Sequence, residues 1–371
     1  MTLNRTTAIP AMFLPARRSR WLRRLGATLA VVLVALGLMG WATGAGRSVA
    51  DVRPPAGPVA ARAAAPPVAA GEVATTPATP DPLEVLGRSV VSVDAPAPGD
   101  QTQHRGPVAT RSTAHVAYGP DSLQYVDVYR SSVPGPRPVI LYLHGGGWIG
   151  GEPTEVPKEF LREASRGYTI VTVAYRFAPE HPFPTAVNDV QDAMRYLVQH
   201  AVEFTIDPAA IVVVGFSAGG NLAGMIGTVW NEPGFHSGPD VRPAAWASFS
   251  GILDIAYFHS HSIWANLTEQ YLPFVDDASM AAASPLSHVD GADPGAFIVS
   301  GANDPVAPGG PTPVEVAGRY AAAGRTHDVW IQTTYQPGCD QHGPFCGTNW
   351  GAFNTFIDAS VAGTPLATIA P

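Results

Sequence analysis

A serine hydroxyl is a poor nucleophile at neutral pH. A chain that uses one must also provide a base to take its proton, a carboxylate to orient that base, and donors for the oxyanion that develops. Ser217 lies in Gly215-Phe216-Ser217-Ala218-Gly219, after the apolar run Ile211-Val212-Val213-Val214 and before an Ala-, Leu- and Gly-rich stretch from Ala218 to Trp230. This pattern predicts a strand, a sharp turn and a helix, with the serine at the apex. The flanking glycines let strand and helix pass close together, and the helix N-terminus aims free N–H groups and partial positive charge at the turn. Alone, the pentapeptide also fits a glycine-rich loop of another α/β protein; the strand before it and the helix after it argue for the nucleophile.

The candidate acid is Asp304, in Ser300-Gly301-Ala302-Asn303-Asp304-Pro305-Val306. It follows an apolar run, Ala296 to Ser300, and so falls at the carboxyl end of a buried strand, where an open α/β sheet places its site. Asn303-Asp304-Pro305 is also good turn chemistry, and Asp254, beyond an earlier strand, is the rival. The candidate base is His342, in Gly338-Cys339-Asp340-Gln341-His342-Gly343-Pro344-Phe345-Cys346. A lone loop histidine is usually a solvated side chain; His342 is singled out by coming after both the serine and the acid. His327, at a strand start, is less able to reach the site. Oxyanion donors are expected from the backbone N–H of Ala218 and from His144-Gly145-Gly146-Gly147-Trp148, where three glycines let main-chain N–H groups turn inward with no side chain in the way.

These residues need a frame. Thr113 to Tyr118 and Gln124 to Tyr129 alternate like an antiparallel pair. Pro138 to Leu143, Tyr168 to Tyr175, Ile211 to Val214, Ala244 to Ser250, Ala296 to Ser300 and Val329 to Thr334 read as further strands, the continuous apolar ones as strands buried on both faces. Helical spacing covers Glu155 to Ser165, Ala186 to His200, Pro313 to Ala323 and Asn349 to Ala362. Strands alternating with helices after a hairpin predict an α/β fold: a mostly parallel central sheet, helices on both faces, and an N-terminal antiparallel hairpin. The segment 253–283 is long for a connection and rich in aromatics, as expected of a lid or pocket wall.

From about Ser112 to Ala362 the chain resembles the hormone-sensitive-lipase-like branch of the α/β-hydrolases, a family of esterases and lipases. Four motifs carry the resemblance in the family's order. They are His144-Gly145-Gly146-Gly147, Tyr175-Arg176-Phe177-Ala178-Pro179-Glu180-His181-Pro182-Phe183-Pro184, Gly215-Phe216-Ser217-Ala218-Gly219-Gly220-Asn221, and Ser284-Pro285-Leu286. The resemblance implies the α/β-hydrolase fold, Ser217, Asp304 and His342 as a catalytic triad, Gly146, Gly147 and Ala218 as oxyanion donors, and no cofactor. Two positions depart from the pattern. Phe216 stands where the family commonly has an acidic residue, and Ala307-Pro308-Gly309-Gly310-Pro311 replaces a charged stretch.

The expected activity is hydrolysis of short- to medium-chain or aryl carboxylic esters. The alternatives are a small amide such as an aryl formamide, since the His-Gly-Gly-Gly-Trp loop also resembles that of arylformamidase-type relatives, and a non-catalytic binding module on the same fold. Trp148, Phe216 and Trp264 are candidates for the substrate pocket. The net charge is −8, but six arginines and no acid fall in the first 24 residues. The remaining body is acidic and argues against a nucleic-acid partner. Those arginines precede an uncharged run from Leu25 to about Gly46, so residues 1–49 read as an export signal or membrane anchor. Residues 50–82, mostly Ala, Pro, Val and Gly, read as an extended linker; residues 83–111 read as irregular or a cap segment, and the hydrolase domain as 112–371. Cys339 and Cys346 are the only cysteines. In an exported chain they are expected to form a disulfide around His342. His259 and His261 lack partners at a recognisable spacing, so no metal is expected.

Overall fold

The computed structural model describes residues 91–95, 107–235, 238–301, 304–333, 342–343, 345 and 347–369, all within one compact unit, Thr76–Pro371. The export segment 1–49, the linker 50–82 and the pair Cys339–Cys346 lie outside the described residues. Among the described residues, no helix is long and apolar enough to cross a membrane.

Nine strands form one sheet in the order β1-β9-β8-β7-β6-β4-β5-β3-β2. They are β1 (Val91–Ser92), β2 (Thr113–Ala117), β3 (Tyr125–Tyr129), β4 (Arg137–Leu143), β5 (Thr169–Val173), β6 (Ile206–Phe216), β7 (Ala245–Phe249), β8 (Gly295–Val299) and β9 (Val329–Gln332). From β1 across to β5 every pairing is parallel. β3 runs antiparallel to both β5 and β2, so the expected hairpin is the far edge of the sheet.

The apolar runs behave as strands buried on both faces. On β4, Val139, Leu141 and Leu143 join one core while Ile140 and Tyr142 join the other; on β6, Ile211 and Val213 part from Val212 and Val214 in the same way. Period-two alternation sends neighbours to opposite faces. The helices Thr185–Gln199 and Ala218–Thr228 cover the first face, and Lys158–Arg162 and Trp350–Val361 cover the second. Thr312–Ala322 extends the first face over Trp246, Ile298 and Ile331.

Two expectations need correction. Residues 83–111 are not wholly irregular: Val91–Ser92 adds a strand parallel to β9, and the Val93 N–H donates to Ile331 O at 2.7 Å. Two residues give too short a pattern to stand out from their Pro-rich surroundings. The helix expected over Glu155 to Ser165 is only Lys158–Arg162, continued as a 3₁₀ turn over Glu163–Arg166. Pro157 sits at the cap position before its start, and Gly167, at φ 107°, ends it.

β6 and the helix Ala218–Thr228 meet in a turn with no spare room. A methyl group built on Gly215 would lie 1.9 Å from Gly219 O, and one on Gly219 would lie 2.1 Å from Leu143 O. Both obstacles are backbone, so neither can swing aside. Gly219→Ala is expected to cost about 3 kcal/mol or more by forcing the helix off the sheet. Urea unfolding of the purified variant checks this, and an unchanged midpoint would contradict it.

Candidate active site

Ser217 stands where β6 ends and the helix begins. Its backbone is held at φ 56°, ψ −123°, outside the regions that non-glycine residues favour. Such strain costs of order 1–3 kcal/mol and persists only where the surroundings over-determine it. Here β6 lies between β4 and β7, and the Ser217 N–H donates to Phe249 O at 3.0 Å. The backbone N–H of Ala218, first residue of the helix, is among the groups a helix N-terminus leaves without intrahelical partners.

The three candidate residues, 87 and 38 positions apart in sequence, come together. Ser217 Oγ lies 3.1 Å from His342 Nε2, and His342 Nδ1 lies 2.9 Å from Asp304 Oδ2. A carboxylate can only accept, so Nδ1 carries the proton and Nε2 presents its lone pair to the serine O–H. Asp304 is buried, and its other oxygen accepts from the N–H groups of Val306 and Ala307, each at 2.9 Å. Burial pushes its carboxyl up, but the His342 hydrogen bond and those two N–H groups outweigh it and hold it below the usual range. The rival Asp254 is occupied elsewhere. It caps the helix Ile255–His261, accepting from the N–H of Ala256 and of Tyr257.

The loop after β4 turns through Gly146 at φ 120°, Gly147 at φ 62° and Trp148 at φ 61°. His144 anchors its start: Nδ1 donates to Gly145 O at 2.7 Å, and the Tyr175 hydroxyl, whose ring stacks on the imidazole at 4.4 Å, donates to His144 O at 2.8 Å. Burial pushes the His144 imidazole down to about 4, so it is neutral at pH 7.

The pocket candidates separate. Trp148 does not border open space. It is 1% exposed, stacked on Tyr271 at 4.2 Å, with its indole N–H on Asn221 Oδ1 at 3.2 Å. A left-handed backbone turns the tryptophan inward, which residue type alone does not reveal. Phe216 lies under the imidazole, 4.9 Å from the His342 ring and 5.2 Å from Phe345. Trp264 is 48% exposed, in the segment 253–283 that folds as three short helices, Ile255–His261, Leu267–Tyr271 and Asp277–Ala282. The sequence reading missed Asn221 and Phe345; the final Asn of Gly219-Gly220-Asn221 was the available signal for the first. Among the described residues, no group of His, Cys, Asp and Glu side chains could hold a metal ion.

The BD-FAE family model matches residues 126–311, half of the chain, and takes in Gly146, Gly147, Ser217 and Asp304. The chain belongs to the BD-FAE family, a hormone-sensitive-lipase-like family of α/β-hydrolases. Carboxylesterase NlhH of Mycobacterium tuberculosis is 39% identical over 98 residues, which is 26% of this chain and 31% of that protein. Probable carboxylic ester hydrolase LipM of the same organism is 27% identical over 234 residues, 57% of this chain and 54% of that one. The matches thus span about a third and about half of these curated relatives. A truncated carbohydrate esterase from gut microbiota superposes with a TM-score of 0.57 at 20% identity, over 70% of this chain and 100% of that chain. Esterase B of Lactobacillus rhamnosis gives 0.57 at 18%, over 72% and 91%. These two share the fold of this BD-FAE member.

Asp304 gives the site a pH signature. Its folded pKa lies below the unfolded one, so the ionised carboxylate adds stability above the unfolded value, and that stability is lost as pH falls through the folded value. Asp304→Asn is expected to flatten the fall in unfolding midpoint below about pH 4. Thermal melts of wild type and variant between pH 6 and pH 2 check it, at about half-unit steps; parallel curves would contradict it.

Proposed function

We propose that the protein hydrolyses carboxylic esters through an acyl-enzyme on Ser217. The observation that carries this reading is the unbroken hydrogen-bonded line from Ser217 Oγ through His342 to a buried, ionised Asp304. The names of the relatives, a carboxylesterase and a probable carboxylic ester hydrolase, support the bond type.

As an ester carbonyl settles over Ser217, Oγ attacks the acyl carbon and His342 Nε2 takes the hydroxyl proton. The negative charge that forms on the carbonyl oxygen is received by the N–H groups of Ala218, Gly146 and Gly147, each such donor being worth roughly 10²–10³ in rate. Asp304 steadies the imidazolium without taking its proton. His342 returns that proton to the departing alcohol, leaving the acyl group on Ser217 Oγ. Water then attacks the acyl carbon as it gives a proton to the same nitrogen; the bond from that carbon to Oγ breaks, His342 returns the proton to Ser217 Oγ, and the acid leaves.

The substrates in this reading are short- to medium-chain or aryl esters. Leu267 presses on the oxyanion loop: a methyl built on Gly147 would lie 2.7 Å from its Cδ1. On the other side, a methyl on Gly145 would lie 3.1 Å from Phe216 Cδ1. These contacts pack the loop between Leu267 and Phe216.

Ser217→Ala is expected to lower kcat on p-nitrophenyl acetate by roughly 10⁴–10⁶ with the fold intact. Across a p-nitrophenyl series from acetate to palmitate, kcat/KM of the wild type should peak at short to medium chain lengths. Activity surviving in Ser217→Ala would overturn the site, and a palmitate optimum would overturn the short- to medium-chain reading.

A further inference from the structure

The elbow helix carries a polar side chain that the chemistry above does not use. Asn221 is fully buried, and both ends of its amide are engaged. Oδ1 accepts the indole N–H of Trp148 at 3.2 Å, while Nδ2 donates to Ile252 O at 2.8 Å and to Ala283 O at 3.0 Å. Those two carbonyls stand at the two ends of the segment 253–283. The Asn221 backbone N–H donates in turn to Ser217 O at 3.1 Å, so the amide is carried one helical turn from the nucleophile.

We infer that Asn221 is a positioning residue that sets the oxyanion loop against the nucleophile and ties both to the two ends of the segment 253–283. The inference rests on the ester-hydrolase reading. Trp148 directly follows Gly147, and both have left-handed backbones. Glycine's own backbone preference does not fix that region, so the direction of the Gly146 and Gly147 N–H groups depends on the loop's contacts: the Ile149 N–H, which donates to Gly146 O at 3.2 Å, Leu267 against Gly147, and whatever holds Trp148. Four described contacts do so: the stack of Trp148 on Tyr271, the edge contact with Phe258 at 6.0 Å, the bond to Asn221, and the Ala178 N–H, which donates to Trp148 O at 2.9 Å. The first two come from the segment 253–283 itself, whose ends Asn221 also holds. An apolar residue of similar size at position 221 would fill the space, but it would leave two carbonyls and one indole N–H without these partners. The amide therefore joins three chain segments in one register. Since oxyanion donors act only when aimed at where charge develops, a small misplacement of that loop costs rate more than it costs substrate binding.

The test uses two variants and a matched control. Trp148→Phe removes the indole N–H and keeps an aromatic ring for Tyr271. Asn221→Asp keeps the acceptor for Trp148 and removes both donors to Ile252 and Ala283. Tyr320→Phe removes two buried hydrogen bonds in a separate part of the core, where the Tyr320 hydroxyl accepts from Trp246 Nε1 at 2.9 Å and donates to Pro294 O at 2.8 Å. The full chain is assayed on p-nitrophenyl acetate, with rates expressed per Ser217 titrated by a phosphonate ester. Inhibition by a trifluoromethyl ketone, which mimics the tetrahedral adduct, is measured alongside thermal midpoints. Trp148→Phe is expected to lose roughly 10- to 100-fold in kcat with KM changed by less than about twofold, and to lose ketone affinity in step. Asn221→Asp, if it folds, should follow; if it does not, Trp148→Phe decides alone. Tyr320→Phe should lower the midpoint and leave kcat unchanged. The inference fails if Trp148→Phe keeps its kcat and ketone affinity per titrated site while losing midpoint as the control does. Survival of activity in Ser217→Ala, or no ester hydrolysis by the wild type, sinks the functional reading and this inference with it. An inactive Ser217→Ala beside a fully active Trp148→Phe sinks only the inference.

Discussion

The strand β6 and the helix that follows it approach so closely that no side chain fits between Gly215 and Gly219, and the rest of the site depends on that contact. The approach forces Ser217 into a conformation of order 1–3 kcal/mol above its relaxed one. It also lifts the hydroxyl clear of the sheet and places the start of the helix beneath it. The sheet can hold this strain because β6 lies between two parallel partners, with a core on each face. Gly219 also sits against Leu143 O, the end of β4. The strand that delivers Ser217 and the strand that delivers the loop His144–Trp148 therefore end at one point.

Asp304 and His342 complete the arrangement from the other side of that point. Asp304 is reached from β8, two strands away from β6, and its buried carboxylate is held in its ionised form by the His342 ring and the N–H groups of Val306 and Ala307. His342 is held by this carboxylate on one ring nitrogen and by the aromatic faces of Phe216 and, behind it, Phe345. Phe216, the residue where the sequence departs from the family's usual acid, thus has a definite place: it floors the imidazole.

Much of this was legible in the sequence, for physical reasons. Runs such as Val139 to Leu143 and Ile211 to Val214 are apolar at every position because both faces are buried, and that makes a parallel strand hard to miss. The elbow was legible because its glycines and serine are required by sterics at fixed spacing. What was not legible depends on contacts between distant segments. Val91–Ser92 is a strand only because β9 offers an edge. Trp148 reads as a pocket aromatic until the left-handed turn through Gly147 and Trp148 sends it into the core. Asp254 and Asp304 both follow strands, and only the fold shows that one caps a helix while the other meets His342. Asn221 looks like an ordinary helix residue until Ile252, Ala283 and Trp148 arrive around it.

The proposed chemistry turns on the Ser217 hydroxyl oxygen acting as nucleophile, with His342 as its base. The most direct measurement is covalent labelling of the full-length protein with a p-nitrophenyl phosphonate, followed by peptide mass mapping. One phosphonyl group on the peptide that contains Ser217, with loss of ester hydrolysis in proportion to labelling and no label on a His342→Ala variant, is the predicted result. Labelling at another residue, or hydrolysis that continues when Ser217 is fully phosphonylated, would contradict it.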